Sequence, residues 1–392
     1  MNLETCMTRY KDELLNSIIP FWEQNCVDQK YGGYLTFLDR DGSVYNTEKY
    51  MWMQWRIVYE FATLAMSGIR AERKDRWLNI AEFGYNFLVK YGKNKHGQYY
   101  FALNREGQPI ISPYNIYSEA FATMGSAALY AATNEKRYRE SALRSMDNYI
   151  KRLKNPKGEW EKSMPARTKR LSLGNYMILA NLGLVLKENL GVIDFQDKID
   201  EAADMVVNHF WHPELRILFE NINQDFSFDM DSCDGRHLNP GHGLEACWFL
   251  LEYAVDSERN ELIPKLCDMI KGQLSFGWDK KFGGIFYFMD ALGKPHVELQ
   301  WDMKLWWVHN EALIATLLGY SLTKDDKLLE WFTKVDKWTW KHFPDPEFGE
   351  WFGYLNRRGD PTHMLKGGKW KTFFHLPRCL LKCKDVLERM RT

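Results

Sequence analysis

The stretch Phe282-Gly283-Gly284-Ile285-Phe286, with Gly293 beyond it, decides how the rest of the chain is read, because it is a hairpin signal that recurs. Tyr31-Gly32-Gly33-Tyr34 comes with Arg40-Asp41-Gly42, His96-Gly97-Gln98-Tyr99-Tyr100 with Arg105-Glu106-Gly107, and Phe348-Gly349-Glu350-Trp351 with Arg357-Arg358-Gly359. Gly158-Glu159-Trp160 and Arg216-Ile217-Leu218-Phe219 are fainter versions. Successive signals lie about 60 to 70 residues apart, longer than common repeats but following the same logic, in which no unit buries its own apolar face. Six such units fill the 392 residues.

Between the hairpins run amphipathic stretches of helical period, among them Trp77 to Tyr91, Tyr138 to Leu153 and Ile199 to Phe210, usually two per interval. A helical hairpin plus a short β-loop, six times over, predicts an all-α fold: an (α/α)6 barrel, or toroid, with short β-hairpin loops over the cavity mouth. Length alone suggests two or three domains, but no Pro/Gly/Ser-rich linker interrupts the pattern, so residues 1-392 are expected to form one barrel domain.

Equal numbers of basic and acidic residues, 52 each, leave no electrostatic case for nucleic acid or an anionic membrane surface. The N-terminal residues are interrupted by charge and no run is long enough to span a bilayer, which predicts a cytoplasmic protein with a small neutral partner. Seven cysteines without metal spacing predict reduced thiols and no metal site; Cys379 and Cys383, four apart, read as core. Aromatic residues make up 15% of the chain, with 16 tryptophans. Most fill the barrel, but Trp306-Trp307 before Glu311, and Trp370 between two lysines, are candidates to stack on sugar faces. Arg56, in an otherwise apolar helix, either lines a pocket or makes a structural ion pair, and the same choice stands for Glu311.

Two histidines open probable helices. In Asn239-Pro240-Gly241-His242-Gly243-Leu244-Glu245, Asn239 is a natural N-cap, Pro240 suits the first helical position, and Glu245 lies on the face of His242, three residues on. In Phe374-His375-Leu376-Pro377-Arg378, Pro377 suits a first helical position and sets His375 just ahead of the helix, where the dipole disfavours imidazolium. Taken alone, such histidines are more often structural. Together they predict a pair of neutral imidazoles meeting across one cavity.

Four runs resemble the N-acylglucosamine 2-epimerase family: Gly235 to Ala246, Met303-Lys304-Leu305-Trp306-Trp307-Val308-His309-Asn310-Glu311-Ala312, Gly349 to Asn356, and Lys366-Gly367-Gly368 through His375-Leu376-Pro377-Arg378. The resemblance covers essentially the whole chain. It implies an (α/α)6 barrel interconverting N-acetylglucosamine and N-acetylmannosamine, a homodimer, no required cofactor, and ATP as a possible activator that is not consumed. It further implies His242 and His375 as the acid/base pair, with Arg56, Glu245, Glu311 and Arg378 in the sugar pocket beside Asn239. Related cellobiose 2-epimerases and sugar isomerases carry histidine near the place of Met177, so an apolar Met177 points to an acetyl-bearing sugar.

The chemistry is consistent with that resemblance. Inverting C2 of an aldose requires ring opening, removal of the C2 proton beside the C1 aldehyde, and return of a proton to the opposite face, a task for two bases on facing walls. Charge growing on O1 needs a donor such as Arg56 or Arg378. Toroidal barrels also host glycoside hydrolases, which need paired carboxylates across the scissile bond, and a non-catalytic binding protein is a further alternative. The histidine motifs favour neither.

Overall fold

The computed structural model describes residues 2–162, 164 and 169–391. Its main helices are α1 (Leu3–Glu13), α2 (Ile19–Asn25), α3 (Met51–Met66), α4 (Lys74–Tyr91), α5 (Tyr117–Thr133), α6 (Lys136–Arg152), α7 (Leu173–Leu190), α8 (Gln196–Asp204), the single turn α9 (Cys233–Arg236), α10 (Pro240–Asp256), α11 (Ile263–Gly277), α12 (Trp306–Thr323), α13 (Asp326–His342) and α14 (His375–Arg389). Two π-helical segments intervene, Leu14–Ile18 joining α1 to α2 and Met205–Phe210 extending α8. The first has a cause: Pro20 offers no N–H, so the regular ladder cannot run through it.

Helices α3, α5, α7, α10, α12 and α14 form the inner ring, and α4, α6, α8, α11, α13 and α1 pack outside them. The partition follows from side-chain pattern. α12, Trp-Trp-Val-His-Asn-Glu-Ala-Leu-Ile-Ala-Thr-Leu-Leu-Gly, is buried continuously from Trp306 to Gly319, as a helix surrounded by protein must be. α13, its outer partner, buries only Leu328, Phe332, Val335, Asp336, Trp338 and Thr339 and turns its charged residues outward. The inner helix α14 takes its outer partner from the start of the chain. α1 packs on α14, with Tyr10 donating to Asp336 on α13 at 2.9 Å, and the ring closes where Phe61 on α3 meets Phe373 at 4.8 Å. The (α/α)6 expectation holds, with the sixth pair completed by the N-terminus.

The inner helices α3, α5, α7, α10 and α12 each precede an outer helix and α14 pairs with α1, so the six N-termini open at one end of the barrel. The hairpins there are strands of two or three residues, such as Phe37–Leu38 with Val44–Asn46 and Ala102–Leu103 with Pro109–Ile111. Gly-Gly turns start them: Gly32 and Gly33 adopt φ of +89° and +68°, Gly283 and Gly284 +74° and +73°, conformations costly for any residue with a Cβ. Gly158–Trp160, by contrast, is a 3-10 turn rather than a hairpin.

The arginines that recur in the hairpins join neighbouring units. Asp28 holds Lys49 at 2.9 Å and both arms of Arg105 at 3.0 Å; Asp279 holds Lys304 at 3.3 Å and Arg357 at 2.8 Å; Asp345 holds Lys366 at 2.9 Å and Arg40 at 2.8 and 3.0 Å. In each triad the aspartate ends one outer helix, the lysine leads into the next inner helix, and the arginine comes from the following hairpin. Burial alone would raise these carboxyls, but the arginine and lysine bonds override it and bring Asp28 and Asp279 down to about 2. These aspartates therefore stay charged across the physiological range, and the triads tie neighbouring units together at the rim of the mouth.

All seven cysteines are free, and Cys379 and Cys383 are buried as expected. Among the described residues no helix is long and apolar enough to cross a membrane.

Candidate active site

Three of the six inner N-termini supply the reactive groups. Asn239 caps α10, its Oδ1 accepting from the N–H groups of Gly241 at 3.0 Å and His242 at 3.3 Å. That bond sets the rotation of the first turn and aims His242 inward. Asn239 is 3% exposed, and through this cap it positions His242. Gly241 has no side chain because Trp307 needs the space: a Cβ there would lie 2.6 Å from the indole.

His242 Nδ1 lies 2.9 and 3.1 Å from the two carboxylate oxygens of Glu220. Glu245, three residues on along the same helical face, does not make this contact. Glu245 is drawn instead to Arg378, whose Nη2 lies 2.7 Å from it, because a guanidinium outcompetes a neutral imidazole for a carboxylate. Glu220 follows the strand Ile217–Leu218 of the fourth hairpin, 22 residues upstream of His242, and no local spacing links the two.

His375 is the first residue of α14 rather than the residue before it. Its Nδ1 lies 2.7 Å from Glu311 Oε1, and Glu311 also accepts from Arg378 Nη2 at 2.7 Å and from Trp248 Nε1 at 2.7 Å. Both histidines thus present a carboxylate-backed ring. If Nδ1 carries the proton toward the glutamate, Nε2 is left as the basic nitrogen, and among the described residues Nε2 of neither ring has a protein partner.

The two environments are opposed. Burial works against the His242 imidazolium, but the Glu220 charge and bond outweigh it and raise its pKa above the ordinary 6.5. Burial pushes His375 well below that value, and the positive charges of Arg56 and Arg378 push it further. The two imidazoles of the expected pair are thus pushed in opposite directions, His242 up and His375 down. The cause at His375 is burial and two guanidiniums; the helix dipole invoked from sequence is not needed.

Trp307 lies between them, its ring 5.2 Å from His242 and 5.6 Å from His375. Trp306 turns the other way. It is 2% exposed, edge-on to Tyr354 at 5.3 Å, and 6.2 Å from His375, so it braces the site from behind, against the expectation that it meets the sugar. Trp370 is 52% exposed and stands against Trp52 at 5.2 Å, at 89°, on the rim. Met177 is buried on α7 within the apolar core.

Arg56 and Arg378 differ in a way no sequence pattern shows. Arg378 spends Nη2 on both Glu245 and Glu311. Arg56 has no ion pair or hydrogen bond among the described residues; its guanidinium lies against Phe121 at 4.2 Å, Phe374 at 4.7 Å and Trp52 at 4.9 Å. Burial, with the Arg378 charge added, pulls its pKa down to about 9. A cation kept dry without an anion is costly to hold, and it stands ready for one that arrives with the ligand.

Glu245, Glu311 and His375 bring one ligand atom each within 4.8 Å of one another, a grouping that could hold a metal ion and that the sequence did not reveal. Arg378 already bridges the two carboxylates, so a guanidinium occupies the cation's position.

Comparison with known proteins gives the class of this toroid, an isomerase, and names its family. The model of the family described as N-acylglucosamine 2-epimerase (GlcNAc 2-epimerase) matches residues 32–379, and the chain belongs to that family. The N-acylglucosamine 2-epimerase of Bos taurus is 38% identical over 386 residues, covering 96% of this chain and 90% of the relative. That of Mus musculus is 38% identical over 389 residues, with the same coverage. The structure of cellobiose 2-epimerase from Bacillus thermoamylovorans is similar with a TM-score of 0.82 at 20% identity, covering 98% of this chain and all of that one, which shows the shared fold.

Proposed function

We propose that the protein interconverts N-acetyl-D-glucosamine and N-acetyl-D-mannosamine, the chemistry for which its mammalian relatives are named. The observation that carries the reading is the opposed pair: His375 held neutral and His242 inclined to hold a proton, on either side of Trp307. Environments that push two titratable groups apart assign the base and the acid. After ring opening, His375 Nε2 takes the C2 proton and the C–H electrons move into the C1 carbonyl, leaving an enolate with charge on O1. Arg56, unpaired, is the donor for that oxygen. His242 then delivers its proton to the opposite face of C2 and the carbonyl reforms. The reverse reaction exchanges the two roles, and proton exchange with solvent resets the pair. Met177 supplies an apolar, polarizable surface for the acetyl methyl.

Product formed in deuterium oxide is expected to carry deuterium at C2. Quantitative retention of the substrate's C2 hydrogen would indicate intramolecular transfer or a transient oxidation and defeat the two-base mechanism. The fold shared with a cellobiose 2-epimerase supports a second reading, a 2-epimerase or aldose-ketose isomerase of sugars without the acyl group. A protein that epimerises cellobiose as efficiently as N-acetylmannosamine would establish it.

From the family resemblance we also infer a cytoplasmic homodimer that requires no cofactor and takes ATP only as an activator it does not consume. Exhaustive chelation is expected to leave activity intact. Loss on chelation with rescue by a divalent ion would place a metal among Glu245, Glu311 and His375 after all.

A further inference from the structure

Asn181 lies one turn after Met177 on the inner helix α7 and is 7% exposed. A side-chain amide carries two donors and an acceptor oxygen. Here Nδ2 has a single contact, 3.7 Å from the thioether sulfur of Met124, which is a weak acceptor, and among the described residues no hydrogen bond reaches Oδ1. A largely buried amide with its oxygen left open in this way is placed to bond a group that enters the barrel. Its one neighbour links the amide to the reactive residues through α5. Met124 lies one turn after Phe121 on α5, Phe121 carries the Arg56 guanidinium at 4.2 Å, and the Phe121 ring is 5.3 Å from Phe374, the residue before His375.

We propose that Asn181 is the specificity-determining residue that recognises the N-acyl amide of the substrate, an assignment that rests on the N-acyl sugar reading above. The chemistry is complementary on both sides. A sugar acetamide offers one N–H and one carbonyl oxygen, and a side-chain amide can accept from the first and donate to the second without burying charge. A C2 hydroxyl satisfies only part of the same amide. With Met177 one turn nearer the mouth and facing the methyl, α7 reads the acyl group along a single stripe.

The test begins with turnover of N-acetylmannosamine by the unmodified protein; absence of turnover would defeat the N-acyl sugar reading itself, before any variant is made. Given turnover, Asn181→Leu, which keeps the volume and removes the unmatched amide, is expected to raise KM about 10- to 100-fold, the worth of a lost buried hydrogen-bonding pair. The accompanying change in kcat should stay below about fivefold, and the melting temperature should be no lower than the parent's. Asn181→Ala is expected to show the same KM shift. A folded Leu or Ala variant whose KM stays within about threefold of the parent overturns the assignment. So does failure of both variants to fold, which would make Asn181 a packing residue.

Discussion

Replacing His375 by asparagine is expected to lower turnover by about two to four orders of magnitude, and His242→Asn by the same range, because each imidazole handles one face of C2. Asparagine keeps a donor for Glu311 or Glu220, so both variants should retain the parent's circular dichroism. A folded variant of either kind that turns over within about tenfold of the parent removes that histidine from the chemistry. The pH dependence carries a further mark. In the direction where His375 is the base, activity falls at low pH as His375 gains a proton, below the ordinary histidine value, and at high pH as His242 loses one, above it. Glu220→Gln removes the negative charge that holds the His242 proton, so the alkaline limb should move to lower pH while the acid limb stays. An unmoved alkaline limb would show that Glu220 does not set the His242 pKa.

Arg56→Met carries the second large effect. If the guanidinium meets the charge developing on O1, its loss costs about 2.7 to 4 kcal/mol of transition-state stabilisation, or about two to three orders of magnitude in kcat. Stability should move the other way. The side chain is buried without an anion, so exchanging it for an apolar chain of similar length is expected to leave the melting temperature unchanged or raise it. Function is held here at the expense of the fold. A variant that loses stability together with activity would show Arg56 to be a structural residue. Arg378 makes the contrast: it is tied to Glu245 and Glu311, and removing it leaves two buried carboxylates facing each other, so its loss should destabilise the protein.

The barrel was legible in the chain because its determinants are local. Gly-Gly turns need positive φ and helices such as Asp326–His342 show one apolar stripe, so short windows report the element. His242 and His375 were legible for the same reason, since Asn239, Pro240 and Pro377 mark helix starts that fall at one end of the barrel. What the tertiary structure alone decided are the partnerships. Glu220 rather than Glu245 holds His242, Arg378 is spoken for while Arg56 is not, Trp307 lies against both histidines, and the pKa values of the two imidazoles are pushed in opposite directions. Each depends on distance and burial between residues from different units, as far as 133 positions apart for Arg378 and Glu245. Coulombic attraction and desolvation act through space rather than along the chain, so only closure of the ring determines which charges meet.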